Sequence, residues 1–68
     1  MIGSRGRVTG KIGPGLVGEV MISIRGGVEA FYAYPAEAEE IIEPGEQILV
    51  VDHQPPRSVY VQRWLPLG

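Results

Sequence analysis

The stretch from residue 18 to residue 34, GEVMISIRGGVEAFYAY, most constrains what this chain can fold into. Its first half alternates aliphatic residues with other types, at Val20, Ile22 and Ile24. This period of two predicts a half-buried strand. Gly26-Gly27 follows, and a pair of glycines suits a two-residue turn in which both positions need positive φ. A second strand, Val28 to Tyr34, then returns, so the sequence predicts a β-hairpin.

The turn at Gly26-Gly27 predicts which residues of the hairpin face each other. Ile22 is then opposite Phe31, and Val20 is opposite Ala33. One face of the hairpin is apolar and consists of Val20, Ile22, Ile24, Phe31 and Ala33. The other face is amphipathic and consists of Met21, Ser23, Arg25, Ala30, Tyr32 and Tyr34. Because a lone hairpin is marginal in water, other strands must cover the apolar face.

The rest of the chain supplies three further strands. The first strand is predicted over Arg7–Ile12, with a bulge at Gly10. The fourth is predicted over Gln47–His53 and the fifth over Ser58–Leu65. Between the third and fourth strands, Ala36–Ile42 is predicted to form a short helix or an irregular link, whose two isoleucines cover one end of the sheet.

These elements predict one domain, residues 1–68, of the all-β class. Ten Gly and six Pro in so short a chain imply many turns and favour strands over helices. A long bent strand, a tight hairpin and a second strand pair match a small five-stranded Greek-key barrel, the OB-fold. The chain contains no Cys, so no disulfide can support the core.

Composition argues against an enzyme and against a metal or cofactor site. His53 is the only His of the chain, which excludes a His-based metal site, and we expect it at the surface at a strand end. None of the three Ser residues lies in a nucleophile motif. Lys11, the only Lys, precedes a Gly-Pro-Gly turn instead of occupying a hairpin tip, which disfavours a lipoyl-type carrier domain.

The candidate binding surface is the amphipathic hairpin face, with Met21, Arg25, Tyr32 and Tyr34. Three interpretations remain open for it. The tyrosines cover the sheet, or the set binds a protein, since Tyr, Met and Arg are enriched in interfaces. Alternatively the aromatics stack bases of single-stranded nucleic acid. The net charge of −2 and the single Lys disfavour nucleic acid.

The predicted fourth strand carries apolar residues on both faces. Leu49 and Val51 point outward in this prediction, which indicates a second cover, a homo-oligomer or an extension of the binding surface. No apolar run reaches the roughly 18 residues of a membrane span. The sequence thus predicts a soluble domain, either cytoplasmic or the soluble part of a longer membrane-associated protein.

A set of glycines and alternating aliphatic residues also matches a family pattern. These residues are Ile2-Gly3, Gly6-Arg7-Val8, Gly18-Glu19-Val20, Phe31-Tyr32-Ala33, Ile42, Gly45, the Ile48/Val50 pair and the Val59/Val61 pair. The pattern resembles the C-terminal soluble domain of NfeD-like proteins, a small OB-fold barrel. The resemblance implies a non-catalytic protein-interaction module. It also implies a bacterial membrane-scaffold context in which the partner is a stomatin- or flotillin-like protein.

Overall fold

This computed structural model describes residues 1–64 of the chain. These residues form five β-strands. They are β1 (Arg5–Gly10), β2 (Gly18–Ile24), β3 (Gly27–Pro35), β4 (Gln47–Gln54) and β5 (Ser58–Arg63). The strands close into a barrel in the order β1-β2-β3-β5-β4, and β4 pairs back onto β1. Only β3 and β5 are parallel among these neighbours. The predicted five-stranded all-β barrel is therefore confirmed, and no helix forms within residues 1–64.

The core is the inward half of the alternating pattern. Nine aliphatic side chains are almost completely buried: Val8, Ile12, Val20, Ile22, Ile42, Ile48, Val50, Val59 and Val61. Phe31 and Ala33 complete the cluster, and no polar or charged residue among those described is buried with it. Burial of apolar area is the main stabilising contribution in a domain of this size.

The β2–β3 hairpin forms as predicted, but its turn lies one residue earlier. Ile24 pairs with Gly27, so the two turn residues are Arg25 and Gly26 instead of Gly26 and Gly27. Both have positive φ, 23° and 79°, as a type I′ turn requires. Val20 is consequently opposite Phe31 and Ile22 opposite Glu29, which corrects the predicted register. Because each cross-strand partner shifts by two residues, the side chains within the strands keep their predicted faces, whereas Arg25 moves from the amphipathic face into the turn.

The turn position of Arg25 leads to a stability prediction. Positive φ costs a non-glycine residue about 1–2 kcal/mol, and Asn tolerates it better than other side chains. We expect Arg25→Asn to raise the free energy of unfolding by about 0.5–1 kcal/mol, measured by urea denaturation. Arg25→Val, whose branched side chain disfavours this conformation, should lower it. Equal stability of the two variants would contradict the turn assignment.

The first strand begins and ends two residues earlier than predicted. It covers Arg5–Gly10, and its register with β2 shifts between Val8 and Gly10, which confirms the predicted bulge. After the bulge Ile12 leaves the strand ladder, stays fully buried and forms an isolated bridge with Ile42. The residues that follow β1 are therefore hydrogen-bonded to the link between β3 and β4.

The link between β3 and β4 is irregular. Of the two predicted possibilities, a short helix or an irregular link, the second is therefore the one that forms. Its residues form bends and turns, with the Glu40 amide donating to the Glu37 carbonyl at 3.1 Å. Pro35 and Pro44 leave too short a segment between them for a stable helix. Ile42 is buried as expected at the barrel end, whereas Ile41 is exposed, so only one of the two isoleucines covers the core.

A bulge in β4 changes the position of His53. The β4–β5 register shifts between Val50 and Asp52, so His53 is opposite the buried Val59. The His53 ring is half-buried and meets Phe31 edge-on at 6.3 Å, which corrects its predicted surface position. Strand β5 ends at Arg63 instead of Leu65, and Leu65 lies outside the described residues.

The outward residues of β4 are partly covered. Leu49 pairs with Arg5 of β1 and Gln62 of β5, and both Leu49 and Val51 are half-buried. Their predicted part in self-association stays a prediction. Among residues 1–64, no helix has the length and apolar character that crossing a membrane requires.

Candidate functional site

The four predicted binding residues lie on the outer surface of the barrel but do not form one site. Met21, Tyr32 and Tyr34 each line a different surface groove. Arg25 occupies the exposed β2–β3 turn and lines none of these three grooves. Strand twist and closure of the barrel turn successive outward residues in different directions, so a flat hairpin face becomes several surfaces.

The most apolar of the three grooves is built around a pair of tyrosines. Tyr34 of β3 pairs with Tyr60 of β5 in the parallel ladder, and their ring centroids lie 5.5 Å apart with planes tilted by 32°. The groove has a volume of about 440 Å³. We call it the tyrosine groove, and its principal residues are Pro14, Leu16, Val17, Tyr34, Pro35 and Tyr60.

The loop between β1 and β2 supplies the opposite wall of the tyrosine groove. A tight turn at Pro14-Gly15 is closed by the Leu16 amide, which donates to the Gly13 carbonyl at 3.0 Å. Gly15 has a φ of 73°, which a glycine adopts without strain. The turn leaves Leu16 and Val17 exposed. Two adjacent exposed aliphatic residues after a Gly-Pro-Gly turn are a signal that the sequence analysis passed over.

Tyr32 extends this surface along β3, although it lines the neighbouring groove and not the tyrosine groove itself. It lies two residues before Tyr34 on the same face of the strand, and 59% of its area is exposed. Tyr60 is 38% exposed on the neighbouring strand. Together with Leu16 and Val17, these tyrosines account for four of the eight large hydrophobic residues exposed in the described part of the chain.

A second groove lies between β1, β2, β3 and β4 and has a different character. We call it the arginine groove; it has a volume of about 400 Å³ and is lined by Arg5, Arg7, Met21, Ser23, Val28 and Gln47, with Gly6 at its floor. No carboxylate lines it. Sequence reasoning placed Met21 and Ser23 on one strand face but did not bring the two arginines of β1 beside them.

Three ion pairs join side chains that are far apart in the sequence. Lys11 Nζ lies 3.6 Å from Glu43, Arg57 Nη1 2.7 Å from Glu29, and Arg63 Nε 2.9 Å from Glu46. All six side chains are at least one-third exposed, so each pair contributes about 0–1 kcal/mol to stability. The Arg63 guanidinium also donates to the Ile41 carbonyl at 2.6 Å, which fixes the β3–β4 link against β5.

The described residues contain no group of three or more His, Cys, Asp or Glu side chains arranged to hold a metal ion. The Nε2 atom of His53 is buried, with no hydrogen-bond partner in residues 1–64. The side chains that line the tyrosine and arginine grooves are mainly aromatic, aliphatic and guanidinium groups. Aromatic and guanidinium groups are frequent at protein interfaces.

Comparison with known families and structures identifies relatives over most of the chain. The family model described as the NfeD C-terminal domain matches residues 5–62. No curated protein matches the chain. Among the similar solved structures are two that are more than 25% identical to it. The solution structure of the soluble domain of the NfeD protein YuaF from Bacillus subtilis is 28% identical, with a TM-score of 0.80 over 96% of this chain and 75% of that one.

The second of these structures is the C-terminal domain of stomatin operon partner protein 1510-C from Pyrococcus horikoshii. It is 33% identical, with a TM-score of 0.67, and the match covers 97% of this chain and 91% of that chain. A third structure, from Corynebacterium glutamicum, is the soluble domain of a membrane protein implicated in regulation of membrane protease activity. It is 22% identical with a TM-score of 0.74, covering 91% and 89% of the two chains, and it shows the shared fold.

Proposed function

We propose, since this chain belongs to the NfeD C-terminal domain family, that it is a non-catalytic module which binds a protein partner through the tyrosine groove. Family membership confirms the resemblance predicted from the sequence. The observation that carries the proposal is the exposed apolar surface formed by Tyr60, Leu16 and Val17 around the half-buried Tyr34, with the exposed Tyr32 two residues away on β3.

Several properties of this surface suit a protein partner. Contiguous apolar surface bordered by polar residues marks interaction sites on soluble domains. Tyrosine contributes large apolar area and a hydroxyl group at little conformational entropy, which is why it is frequent among residues that dominate binding energy. Glu37 and Glu39 flank Ala38 at the edge of the groove, so a partner segment with apolar and basic residues would complement it.

The relatives support a class of partner. The Pyrococcus horikoshii relative is named as a stomatin operon partner, and the Corynebacterium glutamicum structure is named as part of a membrane protein. We infer that the partner of this chain is a stomatin- or flotillin-like membrane scaffold protein, and that the domain works in a membrane-associated setting. Of the residues predicted from the sequence, Tyr32 and Tyr34 belong to this surface.

Single-stranded nucleic acid is the less favoured occupant of the hairpin face. Binding it combines aromatic rings that stack on bases with cations that contact phosphates in one groove. Here the paired tyrosines line one groove, whereas Arg5 and Arg7 line another. Tyr32 shares its groove with Arg57, but that guanidinium lies 2.7 Å from the Glu29 carboxylate. The paired tyrosines and the arginines without a carboxylate partner among residues 1–64 therefore lie in different grooves.

The proposed function is tested with Tyr32→Ser/Tyr60→Ser, because both side chains are exposed and the double variant should fold. We expect the affinity for a stomatin-like protein from the same organism to fall at least about 10-fold, measured by biolayer interferometry. The matched control is Val28→Ser, which alters an equally exposed apolar residue that lines the arginine groove instead and should bind like the wild type. Unchanged affinity of a folded double variant would reject the tyrosine groove as the interface.

A further inference from the structure

The cationic side chains of this domain divide into two groups by their surroundings. Lys11, Arg57 and Arg63 each have a glutamate carboxylate within 4.0 Å. The other three are Arg5, Arg7 and Arg25, and none of them has such a carboxylate partner in the described residues 1–64. All three are exposed. Their guanidinium groups are thus available to an external anion.

The strand register gathers these three arginines on one side of the barrel. Gly6 pairs with Ile22 and Arg7 with Met21, so Arg5 and Arg7 share the outer face of the sheet with Met21 and Ser23. Arg25 follows Ser23 by two residues, at the turn that ends β2. The outer face of β1 and β2 therefore carries three positive charges toward the β2–β3 turn.

The acidic residues concentrate at the other end of the barrel. The link between β3 and β4 contains Glu37, Glu39, Glu40, Glu43 and Glu46. The link is bridged to the chain just after β1 through Ile12 and Ile42, whereas the Arg25 turn lies beside the beginning of β1. The domain is consequently polarised, and an extended anionic surface would attract the arginine side and repel the link.

The arginine groove offers donors suited to a phosphate group. Arg5 and Arg7 provide guanidinium groups, which bind phosphate oxygens in bidentate fashion, and Ser23 and Gln47 add a hydroxyl and an amide. The remaining contacts are aliphatic, from Met21 and the 58%-exposed Val28. A molecule in which a phosphate group is attached to an apolar part fits this combination of side chains.

We propose that the arginine groove binds the phosphate of anionic phospholipid headgroups and thereby docks this face of the barrel onto an anionic membrane surface. The aliphatic residues of the groove favour this source of phosphate over nucleic acid. No aromatic ring lines the groove itself, and the nearby Trp64 ring already stacks with the Arg5 guanidinium, so no row of free rings is offered to successive bases. At the rim, the Arg5 guanidinium lies 4.7 Å from the ring centroid of Trp64. Trp and Arg are residues that settle at the headgroup level of bilayers.

The proposal is tested by vesicle co-sedimentation of the 68-residue chain. We expect binding to phosphatidylcholine vesicles that contain phosphatidylglycerol, loss of this binding with added salt, and none to phosphatidylcholine alone. Arg5→Gln/Arg7→Gln should lower the partition coefficient by about 10-fold or more. The matched control is Lys11→Gln/Arg57→Gln, which changes net charge equally outside the groove and should lower it much less. Equal losses in the two double variants would overturn the groove as the site.

Two further measurements distinguish a lipid surface from other anionic ligands and from the proposed protein-binding surface. Tighter binding to a single-stranded oligonucleotide or to polyglutamate than to the anionic vesicles would overturn a lipid surface as the occupant. Tyr32→Ser/Tyr60→Ser should bind vesicles like the wild type, so the lipid site and the proposed protein-binding surface succeed or fail independently. Should Arg5→Gln/Arg7→Gln not fold, Arg7→Gln alone is the second variant, and a partition coefficient unchanged by it would count against the proposal.

Discussion

Ile42→Ala is expected to lower the free energy of unfolding by about 2–5 kcal/mol, the range for truncating a fully buried aliphatic side chain. Ile42 has 0% exposure and bridges Ile12, which is also fully buried. It therefore joins the irregular link to the end of β1. A domain of this size has a total stability of about 3–5 kcal/mol, so the variant should be partly or wholly unfolded at 25 °C.

The neighbouring residue provides a matched control for this prediction. Ile41 is the same residue type in the same link but is 47% exposed. Ile41→Ala should cost less than about 1 kcal/mol, because less apolar area is lost and no enclosed cavity forms. Urea denaturation followed by tryptophan fluorescence measures both variants. Similar losses for the two would show that the link does not bury Ile42 as described.

Gly18→Ala is expected to destabilise the domain by about 3 kcal/mol or more, at the upper end of the range for overpacking. Gly18 is buried at the start of β2, where the chain passes closely over the end of β1. An added Cβ would overlap Ile12 Cγ1 and would lie only 2.8 Å from the Gly10 carbonyl oxygen and 2.9 Å from that of Lys11. Backbone atoms cannot rotate away, so the strands themselves would have to separate.

Gly27→Ala is the control for the Gly18 prediction. Gly27 begins β3, its φ is not positive, and the nearest atom to an added Cβ is the Ile24 oxygen at 3.9 Å. This substitution should change the free energy of unfolding by less than about 0.5 kcal/mol. Thermal unfolding of both variants by circular dichroism gives the comparison. A stable Gly18→Ala protein would mean that β1 and β2 do not approach each other this closely.

The two proposed binding surfaces depend on different strand contacts. The tyrosine groove requires the parallel pairing of β3 with β5, because this pairing alone brings Tyr60 beside Tyr34. The arginine groove requires β1 to lie between β2 and β4, because its lining comes from β1, β2, β3 and β4. A single small barrel can thus present a protein-binding and a membrane-facing surface at once.

The sequence by itself determined the fold class, the inward set of side chains and the family. Alternation in a strand is a local property with a period of two, so it identified the buried face of β2 and β3 even with the turn placed one residue late. Gly10 indicated the bulge, because an isolated glycine within a strand pattern is typical of one.

Only the tertiary structure decided the positions that depend on distant parts of the chain. The turn formed at Arg25-Gly26 instead of at the glycine pair, together with the register that places Val20 opposite Phe31. The bulge within β4 turned His53 onto Phe31. The pairing of β3 with β5 brought Tyr60 beside Tyr34, and the pairing of β1 with β2 brought Arg7 beside Met21. Such juxtapositions arise from pairing between residues far apart in sequence, and a local pattern of side chains carries no information about them.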